Sequence, residues 1–419
     1  MKRFRCIGGD CEASCCSSGW KIAIDREHYD KAKSAMSTSP ATRQEFDANI
    51  KRVKTVARTH HNFALAVLQD NGDCSFFGPD RMCSLQQRFG EGVLSDTCAV
   101  YPRSILKSGT RLELSGLTSC PEVSRQLLLH EDALELDEVD ATFFARPRER
   151  MKLADHPPDP YVRYHDELRN LMIDVLSDTA YPLTSRLSFI AYFANRTVPF
   201  LHHEVKTLDE ERLLAEVQLL QDPAVRKELH GEFAELPIEP GFSSRVVLAL
   251  LGTRSKVSAF GQLLEAVIEE YDGSRGVLDV KPTGRAPEQV LEIVKAYELH
   301  KAAWAPYQSR IDGYLANYAK NYWSVEWYAG SPNLLAHSIL LFTRIATLRF
   351  MLLGHPWLAA AIDEPEAEKK LALDRAVVDL VQKFSRVFEH DANFNKVLKE
   401  KLADAKFITL AHAACLAAF

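Results

Sequence analysis

Glycine is scarce, at 19 of 419 residues against a usual ~7%, which argues against a loop-dominated, Gly-rich architecture. Net positive charge is missing as well. The 51 Lys+Arg and 57 Asp+Glu leave a formal charge of −6, the wrong sign for a protein that neutralises phosphates, so no nucleic-acid partner is expected. No uninterrupted apolar run reaches the ~20 residues of a membrane span. The most apolar stretch, Leu334–Leu353, contains His337, Arg344 and Arg349; it reads as a buried helix, and no membrane association is expected. Met1-Lys2-Arg3-Phe4-Arg5-Cys6 has basic residues with no apolar segment behind them, so no secretion leader is read there. The expected compartment is the cytoplasm, where thiols stay reduced. A Gly-x-Gly-x-x-Gly turn and a run of βαβ units are both lacking, which argues against a doubly wound nucleotide-binding domain. Internal repeats and low-complexity tracts are lacking too. What remains is an ordinary globular composition, 46% hydrophobic and 26% charged, long enough for two domains or three.

The cysteines are unevenly spread. Eight of the nine lie between Cys6 and Cys120, and Cys415 is alone near the far end. The early set reads Cys6-x4-Cys11-x3-Cys15-Cys16; the later set reads Cys74-x8-Cys83-x14-Cys98, then Cys120. A disulfide framework suits a reducing compartment poorly. Scattered buried thiols do not account for four Cys in eleven residues. Metal or iron–sulfur ligation accounts for both, because thiolates are soft anionic donors that select zinc, copper(I) or iron–sulfur clusters. Distant ligands would close the loop from Cys16 to Cys74, so that the metal also ties the fold together. No Cys-x2-Cys pair is present, which weakens a zinc-ribbon reading. Adjacent Cys15 and Cys16 point in different directions and both ligate only in a bent loop or toward two centres.

Trp20–Ile24 alternates as a short strand. Asp25 reads as an N-cap of a helix carrying Tyr29, Ala32 and Met36 on one face. A second helix is expected over Glu45–Leu68, a turn over Asp70–Asp73, and a strand over Arg111–Ser115. The Cys-rich part is therefore small, irregular and mixed, of the kind a metal centre holds together. Ala145–Tyr161, with Pro147, Pro157, Pro158 and Pro160, marks a boundary. Beyond it helical stripes recur: Val290, Ile293, Val294 and Tyr297; Val377, Leu380, Val381, Phe384 and Phe388; Leu213, Val217 and Leu220. Pro240-Gly241 and Asp272-Gly273 are read as breaks between helices. The expected architecture is mainly α: a Cys-rich domain over 1–145 and an α-helical domain over 160–419.

The early block Phe4-x-Cys6-Ile7-Gly8-x2-Cys11-Glu12-x2-Cys15-Cys16 is followed by Gly19-Trp20 and Ile24-Asp25. Then come Cys74, Cys83-Ser84-Leu85-Gln86, Cys98-x2-Tyr101-Pro102-Arg103 and Ser119-Cys120-Pro121-Glu122. In content and order these blocks resemble the flagellin lysine N-methylases over about the first 130 residues. Cys11–Cys16, Cys74, Cys83 and Cys98 are also similar to a broader set of zinc- or iron-chelating Cys-rich proteins. Two residues, Ser17 and Ser18, separate the Cys pair from Gly19-Trp20 where the family has one. The helical remainder is similar in general character, including Asn317-Tyr318.

The resemblance implies a methyltransferase that moves a methyl group from S-adenosylmethionine to lysine ε-amines of flagellin or a similar lysine-bearing filament protein. It also implies an iron–sulfur centre, a 4Fe–4S cluster with zinc as the alternative. Spacing and resemblance together rank Cys11, Cys15, Cys74, Cys83 and Cys98 first as ligands, with Cys16, Cys6 and Cys120 after them. No catalytic or donor-binding residue is identified. The rival readings are a non-catalytic zinc- or iron-binding protein and a cluster-based electron carrier. Tyr314, Tyr318, Tyr322, Trp323 and Trp327 read as a packing face rather than a cation-binding wall. Glu131, Asp132, Glu135, Asp137, Glu138 and Asp140 read as a solvated acidic run. His60-His61 and His202-His203 read as ordinary histidines rather than ligands, and Cys415 as a buried small residue.

Overall fold

A computed structural model describes residues 3–17, 19–55, 58–108, 111–135, 137–138, 151–153, 159–238, 240–252, 258–272, 287–390 and 392–419. The chain forms two compact units: Met1–Val123 with Leu136–Lys152, and Ser124–Glu135 with Leu153–Phe419. The proline-rich stretch read as a boundary falls mostly outside the described residues, as do Asp140 and Gly273.

The N-terminal unit is built from short pieces. These are β1 (Ala23–Ile24), α1 (Arg26–Ala35), α2 (Pro40–Asn49), β2 (Ile50–Arg52), β3 (Ala64–Ala66), α3 (Ser84–Phe89), α4 (Asp96–Val100), β4 (Arg103–Ser108) and β5 (Arg111–Gly116), then α5 (Pro121–Leu128), which belongs to the second unit from Ser124 on, and β6 (Met151–Leu153), which does so at Leu153. Asp25 caps α1 by accepting the His28 N–H at 3.0 Å, and Ser39 caps α2 with Pro40 in its first turn. One sheet runs β1-β3-β2 and the other β5-β4-β6. In the first, Ile24 faces Ala64 and Ile50 faces Ala66, both antiparallel.

The helix expected through Glu45–Leu68 stops at Asn49. Ile50 turns extended, with φ −126° and ψ 120°, and pairs with β3. Cross-strand pairing on a half-buried surface suits a β-branched residue better than another helical turn does. The expected strand from Trp20 shrinks to its last two residues. Ile24, Ala32, Met36, Phe46, Ile50 and Ala64 form the centre of the apolar core, with Cys74, Phe76 and Leu85 in the same cluster.

The C-terminal unit is helical, and the protein is mainly α. Its helices are α6 (His165–Ser177), α7 (Leu183–Thr197), α8 (Glu210–Gln221), α9 (Pro223–Ala234), α10 (Pro240–Leu251), α11 (Ala259–Asp272) and α12 (Pro287–Ala303). There follow α13 (Gln308–Val325), α14 (Leu334–Leu353), α15 (Pro356–Ala360), α16 (Glu366–Phe388), α17 (Ala392–Asp404) and α18 (Leu410–Ala418). Every residue of α14 is buried, with α7, α10, α13, α16 and α18 packed around it. Leu334–Ala360 is long and apolar enough to span a membrane by composition alone, but its apolar window is wholly inside the unit, as a predominantly apolar core helix requires, with His337, Arg344 and Arg349 buried along it. The hydroxyls of Ser338, Thr343 and Thr347 return to the carbonyls four residues back at 2.7–2.8 Å, so they cost the core no unpaired polar group.

The stripe Val377, Leu380, Val381, Phe384 and Phe388 is at most 1% exposed. Tyr314, Tyr318, Tyr322 and Trp323 are buried as a packing face. The acidic residues Glu131, Glu135, Asp137 and Glu138 are exposed. Pro240 marks the break after α9 by opening α10, where its missing N–H costs nothing. Cys415 is half-buried rather than buried. Asn317 Nδ2 donates to the carbonyls of Leu127 and His130, each at 3.1 Å, which ties Ser124–Glu135 to α13.

Candidate metal centre

Two loops distant in sequence are zipped together in the N-terminal unit. The Cys74 N–H donates to the Cys16 carbonyl at 2.7 Å. Seven residues further, Arg81 donates its guanidinium to the Cys11 carbonyl. Just beyond the second contact the backbones touch: a Cβ on Gly9 would stand 2.8 Å from the Asp80 carbonyl oxygen. That approach requires glycine. Gly9→Val should therefore cost about 1–3 kcal/mol, whereas Gly92→Ala, which meets nothing within 4 Å, should leave stability unchanged. Thermal melts of the two variants check this.

The zip delivers thiols to one cavity of about 40 Å³. Cys16, Cys74, Cys83 and Cys98 line it, together with Ser95 and an apolar wall that includes Ile22, Ile24, Phe76 and Leu94. Local structure places each sulfur. Cys16 lies in a single turn, its N–H held by Ser14 Oγ at 3.2 Å. Cys74 follows the turn at Gly72, where φ is +86°. Cys83 stands at the N-cap of α3. Cys98 sits in the first turn of α4, its N–H bonded to Ser95 Oγ at 3.2 Å.

All four thiols are harder to ionise than an ordinary one. A hydrogen bond from the Cys16 thiol to Cys15 and then burial raise Cys16. Burial raises Cys74 and Cys83. Cys98 is exposed as a residue, yet its sulfur faces the cavity and burial pushes it up to about 12. Cys15 acts electrostatically on Cys16, Cys74, Cys83 and Cys98 alike, so it belongs to this group as a fifth thiol at the rim. No disulfide links any of the nine cysteines.

Cys6, Cys11 and Cys120 form a separate group. Burial raises Cys120 to about 11, with added repulsion from Cys11 and Cys6. The sequence ranks Cys11 above Cys16, but the structure lines the cavity with Cys16. The motif blocks meet here as well. Trp20 packs edge-on against Tyr101 with centroids 5.5 Å apart, and Tyr101 OH lies 3.2 Å from Ser119 Oγ, beside Cys120.

Sequence reading missed a buried polar triad next to the cavity. Asp25 Oδ1 accepts the His28 Nδ1–H at 2.8 Å, and Asp25 Oδ2 accepts the Asp96 N–H at 3.1 Å. Asp96 Oδ1 is 3.6 Å from the same imidazole nitrogen. Asp25 and His28 are 2% and 5% exposed. The triad fastens α4, and so Cys98, to α1. Its one signal in the sequence is a capping Asp with His three residues on.

Burial works against the Asp25 carboxylate, but the N–H groups of His28 and Asp96 and the His28 ring outweigh it and hold its pKa below the usual value. A depressed carboxylate contributes stability that is present above ~3.9 and is lost as pH falls through the folded pKa. Asp25→Asn should cost about 1–3 kcal/mol at neutral pH and flatten the acid limb of a stability-versus-pH curve. An unchanged acid limb would contradict this assignment.

Comparison with known proteins places the chain. Residues 169–416 match the family described as FliB lysine N-methylase C-terminal domain. The Lysine-N-methylase of Salmonella typhimurium (strain LT2) is 30% identical over 161 residues, 35% of this chain and 36% of that protein. The Lysine-N-methylase of Salmonella choleraesuis is 29% identical over 161 residues, with the same coverage. The Flagellar biosynthetic protein FliU of Salmonella muenchen is 33% identical over 141 residues, 33% of this chain and 79% of that one. The chain thus matches about a third of the length of the two curated lysine-N-methylases. No solved structure matches it. Because the family match spans more than half of the sequence, the chain belongs to the FliB lysine N-methylase family.

Proposed function

We propose that this chain is a protein-lysine N-methyltransferase that moves a methyl group from S-adenosylmethionine to lysine ε-amines of flagellin or a similar filament protein. The observation that carries the reading is the family match over 169–416. It is joined by relatives named Lysine-N-methylase and Flagellar biosynthetic protein. The chemistry sets two demands. The acceptor amine must be neutral, since an ammonium has no lone pair and lysine ionises near 10.4. The donor's sulfonium must be held where its methyl carbon faces that lone pair.

We further propose an iron–sulfur centre held by Cys16, Cys74, Cys83 and Cys98. Four soft donors on one water-poor cavity support it. Zinc is the alternative occupant of the same four thiolates. A bound cluster would supply redox-active iron and a covalent tie between the two loops.

Mass spectrometry of filament protein from cells with and without this chain tests the function. Methyl-lysine should be present with the chain and absent without it. Unmodified lysines in both would refute the acceptor, and methylation in both would refute the enzyme.

A further inference from the structure

We propose that a cleft in the helical unit, walled by Val198–Glu204 and Gly330–Asn333, receives the acceptor lysine, with Glu204 binding its ammonium and His203 taking its proton. This rests on the methyl-transfer reading above and assigns it a site. The cleft measures about 650 Å³, within the ~300–1,000 Å³ of small-ligand sites. His202 pairs with Asn333 across it, and the His203 N–H donates to the Pro332 carbonyl at 3.3 Å. Its walls are therefore fixed to each other. Its rim is formed by exposed residues, including His203, Glu204 and Pro332. A ligand that remains attached to a folded protein needs such an open approach.

The charges inside it are unspent. Glu210, Glu216 and Asp178 in the same unit each hold an arginine. Among the described residues no cation pairs with the Glu204 carboxylate, although it lines the cleft. An arriving ammonium would meet that carboxylate first, in a charge-assisted hydrogen bond.

The two imidazoles differ. His202 Nδ1 accepts the Glu204 N–H at 3.2 Å, so its basic nitrogen is already used. The His203 ring leans edge-on against Tyr161, centroids 4.9 Å apart, and among the described residues nothing bonds its ring nitrogens. Tyr161 is fully buried and locked by reciprocal bonds with Tyr328, each hydroxyl donating to the other's carbonyl at 3.3 and 3.0 Å. The imidazole thus rests on a rigid support with an unspent basic nitrogen, as a general base requires. In the opposite wall Ser331 Oγ is buried with no hydrogen-bond partner, a polar group that an entering ligand or its water could satisfy.

The step balances. The lysine ammonium gives one proton to His203. The neutral nitrogen attacks the methyl carbon of the sulfonium donor. The C–S bond breaks with its electron pair staying on sulfur, which leaves a neutral thioether and a methylated ammonium. His203 then passes its proton to water.

The test uses the full chain with purified flagellin and labelled S-adenosylmethionine. His203→Gln should lower kcat by ~10²-fold or more with KM for flagellin little changed. Glu204→Gln should raise KM for flagellin about tenfold and leave KM for the donor alone. In parallel, the imidazole NMR signal of His203 is followed as a lysyl peptide is added, with its norleucine analogue as control. Transfer by the wild type, the fall in kcat for His203→Gln, the rise in KM for Glu204→Gln and a response to the lysyl peptide only would support the site. Transfer unaffected by both substitutions overturns the site and leaves the methyltransferase reading standing. No transfer to flagellin, with His203 still sensing lysine, overturns that reading and leaves an amine-binding cleft. Failure of both overturns both.

Discussion

Serine in place of Cys16, Cys74, Cys83 or Cys98 should each strip the N-terminal unit of metal, to below about a tenth of the wild-type iron content, and lower soluble yield in parallel. A serine hydroxyl is a hard, neutral donor where a soft anion is required. The loss spreads beyond the site because of what surrounds it. α3 has six residues and α4 has five, too few to persist as isolated helices. Cys83 stands at the N-cap position of the first and Cys98 lies in the second, so a bound centre would contribute directly to their folding. The same substitution at Cys6 or Cys120 should leave this centre loaded, because those thiols belong to the other group. Full iron retention in Cys74→Ser, Cys83→Ser and Cys98→Ser would refute the assignment.

Loading the cavity should release about four protons per centre near pH 7, and affinity should climb by up to about four powers of ten per pH unit. The four thiols are all raised above their ordinary pKa, so each enters the reaction protonated and leaves as thiolate. The sign follows: the metal-free protein holds protons that the loaded one does not, and acid therefore opposes binding. Cadmium is a convenient probe, since its thiolate absorbance reports binding while a dye in weak buffer reports protons. Less than one proton per ion, or an affinity flat between about pH 6 and 8, would mean that these sulfurs are not the ligands. The metal-free protein carries a mirror effect. Unfolded thiols ionise near ~8.5 while the folded ones resist, so this contribution to stability is full below that pH and is lost as pH rises toward the folded values.

Much of this was legible in the residues. Asp25 announced its helix by a capping side chain and an apolar face, and Arg111–Ser115 announced a strand by alternation. The early and late cysteines stood out as candidate soft donors by composition alone. The partition of the thiols was hidden, because Cys11 and Cys16 are only five residues apart in sequence and only the zip at Gly9–Asp80 and Cys16–Cys74 decides which sulfur enters the cavity. Ile50 was hidden too: its extended backbone is set by pairing with Ala66, a contact outside any local window. Asp96 looked like an ordinary first-turn acid until the fold brought Asp25 and His28 against it. His203 and Glu204 carry no motif; their interest comes from a wall supplied more than a hundred residues later, at Gly330–Asn333.

The central claim is geometric, and a short thiol–thiol cross-linker on the metal-free, reduced chain tests it most directly. Peptide mapping should find Cys16 joined to Cys74, Cys83 or Cys98, with Cys120 joined to Cys6 or Cys11. Links confined to neighbours within each stretch, or joining Cys16 chiefly to Cys120, would contradict it.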